Sequence, residues 1–366
     1  FANLIKIMKE RGLFMKKTLK IALLCIFILI ILLIVIQCKD NDKLSKNKQA
    51  APQDTLLFGL ATGLGGLGDK AFNDMHFKGM TLAQQKYNIK YIYDTPLAIE
   101  NDTEVIEGLI SKGANVIIAG GGYHMIEPVD MLAKKYPKIK FIVMDDVAHN
   151  YYDNVASIQF RQNEGSFLAG ALCAMESKTK AIAMIGAINI NIINDFNVGF
   201  IAGAKYINPN INIYTEYIAD YDKISNPFDN SKVARQIANK LYQTKNVDII
   251  FQVAAGAGLG VFSAAKDNNK YVIGVDSDQD YLAEGIILTS MMKNIDVGLD
   301  IVISEIINSG FKNKAYKFGI KENGVGLSQM LYTKDKISPA TLDKLTEIES
   351  LLVNKAIKVP TLFKDE

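Results

Sequence analysis

Short apolar runs that alternate with longer stretches of helical spacing constrain this chain more than any other feature. The runs lie at 56–61, 89–93, 116–119, 141–144, 155–160, 181–185, 211–215, 249–253 and 271–275. Segments with helical spacing fall between them, among them 72–87, 105–112, 125–136, 165–175, 198–207 and 231–242. Strand, helix, strand repeated in this way predicts an α/β protein with parallel sheets and helices on both faces. About 310 residues is large for one such sheet, so two are expected. The change of sheet is placed near Val155–Phe160, where a strand runs straight into the polar cluster Arg161-Gln162-Asn163-Glu164.

Open parallel sheets bind ligands at the carboxyl ends of their strands. Those ends carry unusual chemistry in this sequence. Gly63-Leu64-Gly65-Gly66-Leu67-Gly68 follows the first strand, Gly120-Gly121-Gly122 the third, and Asp145-Asp146 the fourth. Gly256-Ala257-Gly258 follows a later strand and Asp276-Ser277-Asp278-Gln279 the last run. Glycine lets backbone approach a ligand closely, but any tight strand-to-helix turn uses it too. Recurrence of such clusters in both halves favours a cleft.

Before the alternation begins, Lys16, Lys17 and Lys20 precede an apolar stretch from Ile21 to Ile36, and the polar run 39–43 follows. This is the pattern of an export signal. Val35-Ile36-Gln37-Cys38 resembles a bacterial lipobox, with Gln37 where a small residue is usual, so Cys38 is the expected lipidation site. A retained single-pass anchor and a simply cleaved signal are the alternatives. Residues 1–38 are read as signal peptide and lipobox, with 1–14 as upstream read-through ahead of a start at Met15 or Met8. The polar stretch 39–54 reads as a flexible tether. The implied location is the cell envelope, facing the periplasm or the exterior.

The 41 basic and 39 acidic residues give a net charge of +2, which leaves no global field for a nucleic-acid backbone. Cys25, Cys38 and Cys173, with His76, His124 and His149 spread along the chain, form neither a disulfide framework nor a zinc site. Gly63, Gly65 and Gly68 fit G-x-G-x-x-G, and Asp94 ends the second strand about where a ribose-binding acid belongs in a dinucleotide fold. An exported protein has no supply of nicotinamide cofactor, and the loop runs on into Asp69-Lys70-Ala71-Phe72-Asn73. Enzyme readings lack parts, since no G-x-S-x-G, triad spacing or P-loop lysine occurs. No cofactor, metal or catalytic residue is expected.

Gly68-Asp69-Lys70-Ala71-Phe72-Asn73 resembles the D-D-K-S-F-N signature of the basic membrane protein family, lipid-anchored purine nucleoside receptors of spirochaetes and other bacteria. Further blocks resemble the family in the same order: Phe141 to Asp145, Arg161 to Gly170, Gly199 to Lys205, Ile250 to Val261, Val272 to Gln279 and Leu288 to Lys293. The resemblance covers about Leu56 to Pro360. It implies a type I periplasmic-binding-protein fold: two doubly wound parallel-sheet lobes joined by a hinge, closing on a nucleoside without catalysis and delivering it to an ABC-type permease. Lobe 1 is expected at 55–159 plus 290–318, and lobe 2 at 160–289 plus 319–366.

Carried over position by position, the family's base-stacking aromatics fall on Phe72 and Phe228, although alignment from the left puts Tyr221 in the second place. Asn73, Asp145, Asp276 and Lys293 fall on polar ligand contacts, and a backbone contact falls near Ala255. Gly63 stands where the family usually has an aspartate. The residue chemistry is compatible, because a purine needs aromatics for its faces and fixed donors and acceptors for its rim. A ribose diol is well held by a carboxylate with a cation nearby, roles that suit Asp276 and Lys293. Each residue has a plainer alternative: Phe72 as core, Asp145 as helix cap, Asp276 and Lys293 as a salt bridge across the hinge. A monomer is expected. The competing functions are a surface adhesin that binds host matrix, and a sugar or autoinducer receptor of the same fold.

Overall fold

The computed structural model describes residues 56–146, 152–220 and 226–363. Cys25, Cys38, the tether, His149 and Tyr221 therefore lie outside the described residues. Two six-stranded sheets organise the rest. The first contains β1 (Leu57–Ala61), β2 (Lys90–Asp94), β3 (Val116–Ala119), β4 (Lys140–Met144), β5 (Val155–Phe160) and β11 (Ala315–Phe318), in the order β11-β5-β4-β3-β1-β2. All of its pairs are parallel. The second contains β6 (Ala181–Gly186), β7 (Asn212–Tyr217), β8 (Ile249–Val253), β9 (Tyr271–Asp276), β10 (Ile287–Lys293) and β12 (Val325–Leu327), ordered β12-β10-β9-β8-β6-β7. Here β12 runs antiparallel to β10.

The strands at 116–119, 155–160, 181–186 and 249–253 are buried at every position. That is why they read as unbroken apolar runs: helices cover both faces of a parallel sheet. The edge strands β2 and β7 are only partly buried and carry more polar residues. Helices α1 (Phe72–Tyr87), α2 (Asp102–Ser111), α3 (Ile126–Lys135) and α8 (Ile295–Ser309) pack with the first sheet. Helices α4 (Gln162–Glu176), α5 (Asn191–Ile207), α6 (Ser231–Thr244), α7 (Gly258–Asp267) and α9 (Pro339–Val353) go with the second. One apolar cluster runs continuously from Phe58 and Ile142 through Phe160 and Phe318 to Phe251 and Ile273, while separate clusters fill the remaining face of each sheet.

The chain passes between the sheets at Arg161, at Asn294 and between Phe318 and Val325. Backbone bonds tie these crossings together, Arg161 N donating to the Phe318 carbonyl at 2.9 Å and Asn294 N to the Gly324 carbonyl at 2.8 Å. The sequence reading put 290–318 with the first lobe. Pairing corrects the boundary, because β10 bonds β9 and β12 through Lys293, so the return to the first sheet falls at Asn294. Thr289, Ser290 and Lys293 broke the apolar pattern that would have marked this strand. Past α9 the chain stays on the second lobe, where Asn163 donates to the Pro360 carbonyl and Asp195 accepts from Leu362 N and the Thr361 hydroxyl.

Candidate functional site

The carboxyl ends of both sheets face one cavity, an empty space of about 700 Å³ counted to its solvent-open mouth. From the first lobe it is lined by Gly63, Leu64, Asp69, Phe72, Asn73, the turn from Gly121 to His124, and Asp145. The second lobe contributes Ile192, Ile193, Phe196, Phe228, Val253, Ala255, Asp276 and Lys293. All seven side chains or backbones singled out in the sequence, Phe72, Asn73, Asp145, Phe228, Ala255, Asp276 and Lys293, thus border the same space.

The loop after β1 owes its shape to two carboxylates. Asp69 accepts from the backbone N–H groups of Ala71, Asn73 and Asp74 at 2.9–3.1 Å, closing the exposed amino end of α1. Burial nevertheless raises the pKa of Asp69, the three donors opposing it. Asp74 in turn accepts from Gly68 N and Lys70 N. Asn73 holds the other limb of the loop, accepting from Gly63 N at 2.8 Å and donating to the Leu64 carbonyl at 3.4 Å. The result sets Phe72, the first residue of α1, on the cavity wall, its ring edge-on to His76 at 4.6 Å. Asp94, the acid of the dinucleotide pattern, is elsewhere: it is about half exposed, pairs with Lys112, and does not border the cavity.

Lys293 ends β10 beneath the cavity floor with 1% of its side chain exposed. Its ammonium lies 4.6 Å from the Phe196 ring centroid, 5.6 Å from Phe72 and 6.0 Å from Phe160. Such a box stabilises a desolvated cation through the ring quadrupoles. The direct counter-ion is Asp145, whose Oδ2 accepts from Lys293 Nζ at 2.6 Å across the lobes. The sequence reading paired this lysine with Asp276; it acts on Asp276 through space instead, opposing the effect of burial. The other carboxylate oxygen of Asp145, Oδ1, is buried without a partner among the described residues.

Asp276 is 6% exposed, and burial pushes its carboxyl up from 3.8 to about 7. Asp145 shifts upward for the same reason, with Lys293 opposing. Asp145, Ala255 and Asp276 all sit at strand ends with left-handed backbones, φ 59°, 45° and 66°. Non-glycine residues adopt that region at a cost, and such positions cluster where a surrounding structure fixes them for a purpose. No protein group among the described residues hydrogen-bonds the Asp276 carboxylate, so its acceptor capacity is available to the cavity.

Several cavity residues escaped the sequence reading. Ile192, Ile193 and Phe196 form an apolar wall from the first turns of α5, and Tyr123 and His124 follow the third strand. The triple glycine at 120–122 pointed to the second place but not to the imidazole two residues on. Phe228 is fixed by its backbone, its N–H donating to Asn226 Oδ1 and its carbonyl accepting from Ala257 N. A cavity with aromatic rings on both lobes, buried carboxylates and one buried cation suits a flat, partly polar, uncharged solute.

Comparison with known proteins agrees with that geometry. Residues 61–362 match the family model described as ABC transporter substrate-binding protein PnrA-like. The CD4+ T-cell-stimulating antigen of Listeria innocua is 29% identical, the match covering 94% of this chain and 99% of that one. Basic membrane protein A1 of Borrelia garinii is 31% identical over 80% of this chain and 85% of its own length. Among solved structures, an ABC transporter solute-binding protein from Aeropyrum pernix superposes with a TM-score of 0.74 at 23% identity, covering 83% of this chain and 94% of that one. A transcriptional activator of the comK gene from Bacillus halodurans also matches, with a TM-score of 0.68 at 19% identity, covering 83% and 99%. The last two share the type I periplasmic-binding-protein fold with this chain, and their diversity means that the fold alone does not fix a ligand. With the family model spanning both lobes and the cleft between them, the chain belongs to the PnrA-like family of ABC transporter substrate-binding proteins.

Proposed function

We propose that this substrate-binding protein captures purine nucleosides outside the cytoplasm and presents them, as a lipid-anchored monomer, to an ABC-type permease. The observation that carries the reading is the meeting of Phe72 and Phe228, from opposite lobes, in a cavity with acceptors at its polar end. Two aromatic faces suit a base, and stacking contributes roughly 1–3 kcal/mol per base whatever its edge. Asp276, with free acceptor capacity, suits the ribose diol, and Lys293 lowers the cost of charge there. A sugar alone would leave two aromatic faces and the apolar wall at Phe196 without a flat partner. The capture step involves no bond chemistry, so the lobes need only enclose and release.

Calorimetric titration of the 39–366 domain with inosine, guanosine and adenosine, beside ribose, galactose and hypoxanthine, tests the ligand. Nucleosides are expected to bind at least about tenfold more tightly than free base or free sugar, since loss of a buried donor costs about 1–3 kcal/mol. Binding of ribose or galactose with no nucleoside response overturns the reading. The anchor is tested separately at Cys38, which lies outside the described residues. Metabolic labelling with a fatty-acid analogue should mark the wild type and not Cys38→Ser, and an unlabelled wild type removes the lipid from the proposal.

A further inference from the structure

A buried histidine–aspartate pair stands in the cavity wall and has no part in the binding roles described above. His124 lies in the short turn Gly122–Met125 after β3, and Asp102 opens α2 with no exposed surface. His124 Nδ1 and Asp102 Oδ2 are 2.5 Å apart, with side-chain exposures of 4% and 0%. A carboxylate on Nδ1 fixes the hydrogen there and leaves Nε2 as the one ring nitrogen with free valence. Nε2 has no protein partner among the described residues. The Cε1–Nε2 edge rests on Gly121, where a Cβ would come within 2.4 Å of Cε1 and 2.6 Å of Nε2. Gly121, Gly122, Tyr123 and His124 all border the cavity. Tyr123 braces the imidazole edge-on at 5.1 Å.

This arrangement is expensive as packing. Asp102 Oδ1 is buried and has no partner among the described residues, and an apolar pair of the same volume would fill the space at lower cost. Pinning one ring nitrogen is the usual way a protein aims the other. We infer that His124 is a specificity-determining residue that reads the hydrogen-bonding edge of the bound base through Nε2, with Asp102 as its positioning residue. The inference rests on the nucleoside reading of the cavity and adds to it a residue that discriminates between bases. It assigns stacking, which ignores the edge, to the phenylalanines, and selection at C6 to the imidazole.

The test compares inosine and adenosine with purine riboside, which has the same ring and sugar but no exocyclic group at C6. In the wild type, the better of the two 6-substituted nucleosides should bind at least about tenfold more tightly than purine riboside. His124→Phe keeps a ring against Gly121 and should bring that ratio within about threefold. His124→Gln, which restores a polar group, should recover part of the ratio, and Asp102→Asn should lower it without abolishing binding. Circular dichroism melts accompany each variant; if His124→Phe does not fold, the ratios of His124→Gln and Asp102→Asn decide. A wild-type ratio retained in the variants, or an equal loss for all three ligands, overturns the assignment. A wild type that binds no nucleoside fails at the earlier reading instead.

Discussion

Burial lifts the Asp276 carboxyl from 3.8 to about 7, and the sign of that shift fixes what pH does to the empty protein. Between those values the folded chain holds a proton that the unfolded chain has lost, so this residue contributes stability at low pH that disappears as pH rises through 7. Asp276→Asn cannot ionise; in denaturant titrations without ligand it should gain on the wild type above pH 7, by up to a few kcal/mol. His76 works in the opposite direction. Its buried imidazole is lowered from 6.5 to about 4, so acidification between those values costs stability. Diol hydroxyls donating to Asp276 would favour the ionised form, and ribonucleoside affinity should climb with pH toward neutrality and flatten in Asp276→Asn. A pH-independent affinity in the wild type would detach the sugar from Asp276. The strand-end acids were legible in the sequence because an acid after an apolar run is conspicuous. The direct partner of Lys293 was not, since Asp145 is 148 residues away and only the closed tertiary structure brings the two together.

Helices α4 and α5 meet at backbone distance, and glycine is the reason they can. A Cβ on Gly203 would lie 1.9 Å from the Phe167 carbonyl oxygen, one on Gly170 2.0 Å from that of Phe200, and one on Gly199 2.2 Å from that of Asn163. These are rigid backbone atoms, so relief requires the helices to part. Overpacking a core typically costs 1–3 kcal/mol, and with carbonyls as the obstacle Gly203→Ala should reach or exceed about 3 kcal/mol in urea titration. Gly108→Ala, in a helix where a Cβ meets nothing within 4 Å, is the control and should be neutral or slightly stabilising. Equal effects of the two would remove close helix approach from the account. All nine apolar runs are strands and the six helical segments are helices, because buried parallel strands and amphipathic helices have strong periodic signatures. Strands β10 to β12 were hidden, the first by Thr289, Ser290 and Lys293, the second by Lys317 within a four-residue run, and the third by being only three residues long.

At the scale of the whole molecule, the first-lobe loop is fastened to the second lobe without help from a ligand. The Lys70 carbonyl, in a backbone with φ 56°, accepts from the Ser277 hydroxyl at 2.5 Å and from Gln279 Nε2 at 3.0 Å. Gln279 is itself fixed, since its Oε1 accepts from Val275 N and Gln252 Nε2 at 2.9 Å. The same loop packs at Asp69 against Gly256. Hinge crossings tied by backbone bonds allow such a latch to open by rotation while each lobe keeps its own core. A partly exposed hydrogen bond contributes about 0.5–1.5 kcal/mol, so losing one should shift the open–closed equilibrium by roughly two- to tenfold. Ser277→Ala removes the hydroxyl but leaves Gln279, and small-angle scattering should then give a larger ligand-free radius of gyration than the wild type. Saturating inosine should bring both proteins to the same smaller radius, because ligand contacts from both lobes outweigh a single latch bond. The variant should bind inosine several-fold more weakly, through the smaller population of the closed form rather than through any lost ligand contact. Identical scattering and affinity of variant and wild type would mean that the Lys70 bond follows closure without driving it. No change in wild-type radius on adding inosine, with a larger ligand-free radius in Ser277→Ala, would mean that the latch alone holds the empty wild type closed.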